Sequence, residues 1–344
     1  MNIVELYVLF MAKTMTVIMG ITILLILMRN IIQRKKLESG HLQLTHLGDQ
    51  YRGIKNEMLL ATLPPIDRKK WQKEQKKHRS KLYARCKEKK LKRIIYVIDF
   101  TGSIDAKEVN SLREEISAVL LVATNNDQVL LRLESYGGTV HNYGLAASQL
   151  QRLRNKGIFL TVAVDQIAAS GGYLMACVAN QIIAAPFAVI GSIGVVAQFP
   201  NFNRFLKRND IDFELHTTGE YKRTLTLFGE NSEQGRQKFR EELSEIHQLF
   251  KRFVHEMRPA LDIDRVATGE HWFGRNALEK GLIDAIGTSD EFILKKIETC
   301  ELMAVHYVCR HKRWIDKLST SSTTDLSIGK LLWHGLQFCN PNRK

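Results

Sequence analysis

Thirty-eight consecutive residues, Gln166 to Asn203, carry no Asp, Glu, Lys or Arg. No other feature of this 344-residue chain restricts its folding so strongly. A stretch of that length either crosses lipid, for which about 20 apolar residues suffice, or lies inside a soluble domain. Its interior decides between the two. Asn180 and Gln181, Pro186 and the turn Gly191-Ser192-Ile193-Gly194 interrupt it, and irregular backbone facing lipid leaves polar groups unpaired. The stretch therefore reads as a helix and short strands that form both core and site wall. A second membrane span is disfavoured.

An earlier segment does suit a span. Residues 14–28, TMTVIMGITILLILM, are uncharged, and LYVLFMA extends the run back across Lys13. A cleaved signal peptide is the competing reading, but MRNIIQRKK follows instead of a small-x-small site. An uncleaved anchor is expected. Arg29, Arg34, Lys35 and Lys36 flank its far end, and the positive-inside rule then leaves the C-terminal bulk in the cytoplasm.

The formal net charge of +14 is local in origin. Residues 68–93 hold 14 Lys or Arg against Glu74 and Glu88, and the remainder of the chain is nearly balanced. Such a run is ordinarily a solvated helix or linker. It could also draw the chain to anionic lipid, at about 1 kcal/mol per basic residue near the surface. Nucleic acid is disfavoured as a partner, since no aromatic stacking pattern accompanies the charge. Five widely spaced cysteines without a CxxC or Cys/His spacing indicate neither a disulfide framework nor a zinc site. No metal and no cofactor is expected. The chain thus divides into an anchor (1–36), a polar to basic linker or helical segment (37–93), a folded domain (94–310) and a tail (311–344) that reads either as an amphipathic helix or as disordered.

Within the folded domain, apolar β-branched runs alternate with helical patterns. IIYVIDF from Ile94 reads as a buried strand. Asp105 and Glu108 form a capping box before Val109, Leu112, Ile116 and Val119 at helical spacing. QVLLRL is a second strand, followed by a helix with Tyr143, Ala146, Leu150 and Leu153 on one face, and IFLTVAV is a third. This alternation predicts an α/β domain with a largely parallel sheet. Beyond Asn203 come a short helix (NRFLKRN), a strand (DFELHT), a loop bearing Lys222, and a long amphipathic helix with Phe239, Ile246, Phe250 and Phe253 on its apolar face.

Three pieces could carry chemistry. Ser170, in AASGGY, sits between a strand and an apolar helix, where free backbone amides stabilise negative charge; it is equally suited to be a plain N-cap. SYGGT, residues 135–139, ends a strand in Gly-Gly at the sheet edge where such folds place their sites. Lys222 in TGEYKR serves as a base only if burial or nearby positive charge keeps it neutral. Ser192, between glycines in GSIG, could hold such an amine. None of the 11 His falls in a nucleophile–base pattern, and no GxSxG elbow occurs.

Taken together and in order, AASGGY, GSIGV and TGEYK resemble the serine–lysine peptidases of the signal peptide peptidase A family, from about Ile94 to Gly287. The resemblance implies a ClpP/crotonase-like fold of stacked βαβ units behind an N-terminal transmembrane helix and basic linker. It implies Ser170 as nucleophile, Lys222 as general base, Ser192 positioning Lys222, and oxyanion-hole amides at Gly137 and Gly171. It further implies peptide or unfolded-protein substrates, a bilayer, assembly into a homo-oligomeric ring or dome, and a periplasmic catalytic domain on the bacterial inner membrane. That last expectation opposes the flanking charges. One departure is Tyr136, where the family has proline; the glycines remain, so activity is expected to survive with a less rigid loop. Two other readings stay open: a crotonase-type acyl-thioester enzyme, for which Glu134 and Asp165 are the strand-end carboxylates, and a non-enzymatic membrane scaffold.

Overall fold

The computed structural model describes residues 9–11, 13–24, 40–64, 67, 68, 71 and 93–308. The unit Leu42–Tyr307 holds the sheet and the site. In the other unit, residues 9–11 and 13–24 are helical and the rest of the expected anchor lies outside the described residues, as do most of the basic run and the tail. Among the described residues, no helix is long and apolar enough to cross a membrane.

The sheet is built on strands β2 (Ile94–Gly102), β3 (Gln128–Ser135), β4 (Phe159–Val164) and β6 (Gln181–Ala184). All are parallel neighbours in that order. β9 (Ala285–Ile286) joins parallel beyond β6, and β10 (Glu301–Val308) joins parallel on the other side of β2. β1 (His41–His46) lies outside β10, so part of the segment read as linker contributes an edge strand and the helix α1 (Leu47–Thr62). The central strands are buried on both faces, as parallel sheets require, which explains why they read as continuous apolar runs: Leu130, Leu131, Val162 and Ile182 are fully covered. Helix α2 (Val109–Val122) buries Leu112, Ile116 and Val119, and α3 (Val140–Asn155) buries Tyr143, Ala146, Leu150 and Leu153, the faces their periodicity predicts.

A smaller ladder branches from β3. β5 (Ile167–Ala169) pairs parallel with β3 and with β7 (Val189–Gly191), and β7 pairs antiparallel with β8 (His271–Phe273), making the sheet mixed. The uncharged stretch thus contains β5, the helix α4 (Gly171–Ala176), β6 and β7. Its longest helix has six residues, and Tyr173, Met175 and Ala176 are wholly buried. Residues 167–193 are largely interior, as the Asn, Pro and Gly breaks indicate, but Phe187 and residues 196–202 are exposed, so the end of the stretch builds no core.

Two local expectations fail. Glu108 does not close a capping box with Asp105; its carboxylate accepts from the Ser103 amide and hydroxyl, and α2 starts only at Val109. The loop before it turns at Ala106, with φ 45°, so the pair never reaches cap geometry. DFELHT forms no strand: residues 211–217 are exposed and irregular. Its alternating Phe213 instead meets the Phe228 ring, with centroids 5.7 Å apart, and no neighbouring strand pairs its backbone. The helices on either side of it are α5 (Asn203–Arg208) and α6 (Glu233–Met257), whose N-cap Ser232 accepts from the Gly235 amide.

Candidate active site at the carboxyl edge of the sheet

Three parallel strands end together. Ser135 closes β3 opposite Ala168 of β5, and Ala169 of β5 lies opposite Gly191 of β7. Ser170 and Ser192 therefore leave adjacent strands side by side, at a strand spacing of about 4.8 Å. The Ser170 amide donates to the Gly191 carbonyl at 2.8 Å, and the Ser192 amide to the Glu270 carbonyl at 2.7 Å. Both serines hold positive φ, 50° and 53°. For a residue with a Cβ this is strained backbone, maintained only where its surroundings over-determine it. Here they do. Ser170 is clamped by β7 through its amide and by α4 through its carbonyl, which accepts from the Leu174 amide at 3.0 Å. Its side chain is no N-cap, since it makes no capping hydrogen bond.

The Gly137–Gly138 loop presses on this turn. Gly137 has φ 87°, and a Cβ added there would stand 2.8 Å from the Ser170 Cβ and 2.7 Å from the Gly171 amide nitrogen. At Gly138 an added Cβ would lie 2.0 Å from the Ile104 carbonyl oxygen, which already accepts from the Thr139 amide. The Gly137 amide itself donates to Ser135 Oγ at 3.0 Å. Among the described residues the Gly138 amide meets no acceptor. Gly171, first in α4, has an amide with no intrahelical partner.

Behind the loop runs a buried chain that sequence reading assigned to packing alone. Ser135 Oγ and the Tyr143 hydroxyl are 2.5 Å apart, and that hydroxyl donates to the Ser103 carbonyl at 2.8 Å. Burial pushes the Tyr143 phenol up from its ordinary pKa, so it stays a neutral donor. The chain ties the β2–α2 turn, the β3 end and the glycine loop into one body. Tyr143 registered in sequence only as an apolar-face position; the polar atom at its tip is its hidden signal.

Ser170, Ser192, Gly137 and Gly171 all line one cavity of about 800 Å³. Lys222 does not. It is exposed, in the irregular segment between residues 209 and 232, and among the described residues its side chain contacts neither serine by a hydrogen bond. Asp165 is committed elsewhere, accepting from the Ser289 amide and hydroxyl at 2.8 and 2.5 Å. His141 lines the cavity as well, unsuspected in the sequence because no pattern links it to a serine. No group of three potential metal ligands occurs among the described residues.

Residues 2–150 match the N-terminal region of peptidase family S49, and residues 152–302 match peptidase family S49 itself. Among curated proteins, the "Probable protease SohB" of Buchnera aphidicola subsp. Schlechtendalia chinensis is 54% identical, covering 84% of this chain and 98% of its own length. Its counterpart from subsp. Acyrthosiphon pisum is also 54% identical, over 95% and 96% of the two chains. That of Haemophilus influenzae is 48% identical over 88% of each. A solved chain, a point mutant of the 1510-N membrane-bound stomatin-specific protease, superposes with a TM-score of 0.40 at 15% identity, over 60% of this chain and 86% of that one, a likeness too slight to carry an argument. With both halves matched and relatives of nearly full length at such identity, this chain belongs to peptidase family S49.

Proposed function

We propose that this chain is an ATP-independent serine endopeptidase in which Ser170 attacks a peptide carbonyl and Lys222 takes its proton. The observation that carries this reading is the strained Ser170 turn, held against the Gly137–Gly138 loop on the wall of a cavity of about 800 Å³. A nucleophile needs adjacent donors for the oxyanion it creates. The Gly171 amide is one. On the glycine loop we assign Gly138 as the other, because Ser135 occupies the Gly137 amide and leaves Gly137 to shape the turn. Ser192 is assigned to receive the Lys222 amine, a role supported by its position next to Ser170 across the ladder.

Hydrogen-bond reach, about 3 Å, is what general-base chemistry demands. Lys222 must therefore approach as its segment closes over the cavity, which would also remove the water that keeps an exposed amine charged. The chain has no nucleotide-binding GxxxxGK[ST] motif, so either unfolding is external or the substrates are already extended. Remnant signal peptides, membrane-protein fragments and misfolded envelope proteins are the class proposed, with the catalytic domain periplasmic, the N-terminal segment anchored in the inner membrane, and a ring or dome of identical subunits. The exposed apolar side chains of residues 9–24, among them Phe10, Met15 and Ile18, support a bilayer partner. Against a thioester reaction stands Asp165, whose two oxygens are both engaged by Ser289.

A fluorophosphonate probe tests the proposal on detergent-solubilised full-length protein. Labelling of the wild type but not of Ser170→Ala, with peptide cleavage lost in parallel, is the expected result. Absence of both labelling and cleavage in the wild type would leave a scaffold as the better reading. A C-terminal reporter active on only one side of the membrane decides the compartment.

A further inference from the structure

The cavity beside Ser170 is apolar over much of its wall. Helix α6 contributes Ile246, Leu249, Phe250 and Phe253, and among the described residues no Asp, Glu, Lys or Arg lines it. Three ionisable side chains remain: Tyr136, Tyr143 and His141. The Tyr143 hydroxyl is committed to Ser103 and Ser135. Tyr136 is 75% exposed. His141 stands on the first turn of α3, three residues past Gly138, and makes no hydrogen bond or ion pair among the described residues. It is also exposed to solvent, but unlike Tyr136, which leads into the glycine loop, it is an uncommitted imidazole on the first turn of α3 where it lines the cavity beside Ser170.

Polar groups entering such a cavity lose water and must find a partner there. A carboxylate or carboxamide finds an N–H donor in the imidazole. An ammonium or guanidinium finds no carboxylate. We propose that His141 is a specificity-determining residue: it favours a substrate side chain bearing a carboxylate or carboxamide over lysine or arginine at the position that enters this cavity. The inference rests on the reading of Ser170 as nucleophile, since that places the substrate here.

Binding and cleavage together test it. Fluorescein-labelled peptides that differ only at the residues flanking the scissile bond (Glu, Gln, Leu or Lys) are titrated onto full-length Ser170→Ala protein in detergent. The same peptides are turned over by protein with Ser170 intact. The chain with His141 should bind Glu and Gln peptides in preference to Lys by about tenfold or more, the worth of one hydrogen bond to a charged group. His141→Phe should erase that preference, and His141→Asp should invert it in favour of Lys. Ratios that stay constant while all peptides weaken together would overturn the inference, because a structural role moves every peptide equally. Cleavage with unchanged ratios sinks the role of His141 alone. His141-dependent binding without any cleavage sinks the nucleophile reading alone. Failure of every peptide to bind defeats both.

Discussion

The strand edge that carries Ser170 and the arm that carries Lys222 are held in contrasting ways. At the edge, three parallel strand ends, the α4 turn and the Ser135–Tyr143–Ser103 chain hold the backbone in a conformation it would not adopt alone. Apart from Gln234 donating to Glu220 Oε1 at 3.4 Å and Lys238 lying over the Tyr221 ring at 5.5 Å, the arm is tied at its base. There Asn201 Nδ2 donates to the Thr226 and Gly229 carbonyls, Asn203 Nδ2 donates to the Phe228 carbonyl, Lys207 pairs with Glu230, and the Phe202 and Phe228 rings stack at 6.0 Å. Between residues 211 and 223 every residue is exposed. Segments with so few buried contacts open at low free-energy cost. A strained, rigid Ser170 turn and a loosely held Lys222 are the pairing expected if, as proposed, they are nucleophile and base and closing the arm on substrate completes the site; the difference can be attacked from both sides.

The largest effect is expected on the arm. Lys222→Ala should lower kcat about 10²–10⁴-fold, the range for a lost general base, while the melting temperature stays unchanged because the side chain is exposed. Turnover that survives this substitution would leave the arm without a catalytic role. Next in size is Gly138→Ala on the rigid edge. Its Cβ collides with the Ile104 carbonyl, so the loop must shift; displacement of one oxyanion donor costs about 10²–10³ in rate. Unlike the lysine variant, it should also melt earlier. Tyr143→Phe follows. Loss of one buried hydroxyl should destabilise the fold by about 1–2 kcal/mol and slow turnover by less than Gly138→Ala, because the glycine loop keeps its backbone contacts.

The smallest effect on turnover lies apart from both regions and serves as their control. The Glu115 carboxyl is buried, and burial pushes its pKa up from 4.5 to about 7, although the Tyr307 amide donates to it. A raised folded-state pKa means that its stabilising contribution is complete below about pH 4.5 and is lost as pH rises through about 7. The wild type should therefore be less stable at pH 8 than at pH 5 through this group, by up to about 3 kcal/mol. Glu115→Gln should remove that slope, read by denaturant melts at both pH values, without altering kcat. An equal slope in the variant would assign the pH dependence elsewhere.

Legibility in the sequence followed how local each feature is. The central strands and the buried faces of α2 and α3 were readable because apolar periodicity is written residue by residue: Val109, Leu112, Ile116 and Val119 are all buried as spaced. Ser170 and Ser192 stood out through their glycine neighbours. DFELHT misled, because alternation records which side chains are apolar and does not record whether a neighbouring strand exists. The Asp105–Glu108 pair misled for a related reason: a cap needs backbone geometry that the Ala106 turn denies.

What the chain's own order of residues indicated is that the uncharged run 166–203 is no membrane span, since its Asn, Pro and Gly breaks would leave backbone groups unpaired in lipid. Only the tertiary structure decided that Ser170 and Ser192, 22 positions apart in the chain, become neighbours, because a parallel ladder sets Ala169 opposite Gly191. It also decided that Ser135 takes the Gly137 amide, that Tyr143 carries a hydrogen bond as well as packing, and that His141 reaches the cavity while Lys222 stays outside it in this structure. Periodicity and composition act along the chain, whereas register and close approach are set by partners far from it in sequence.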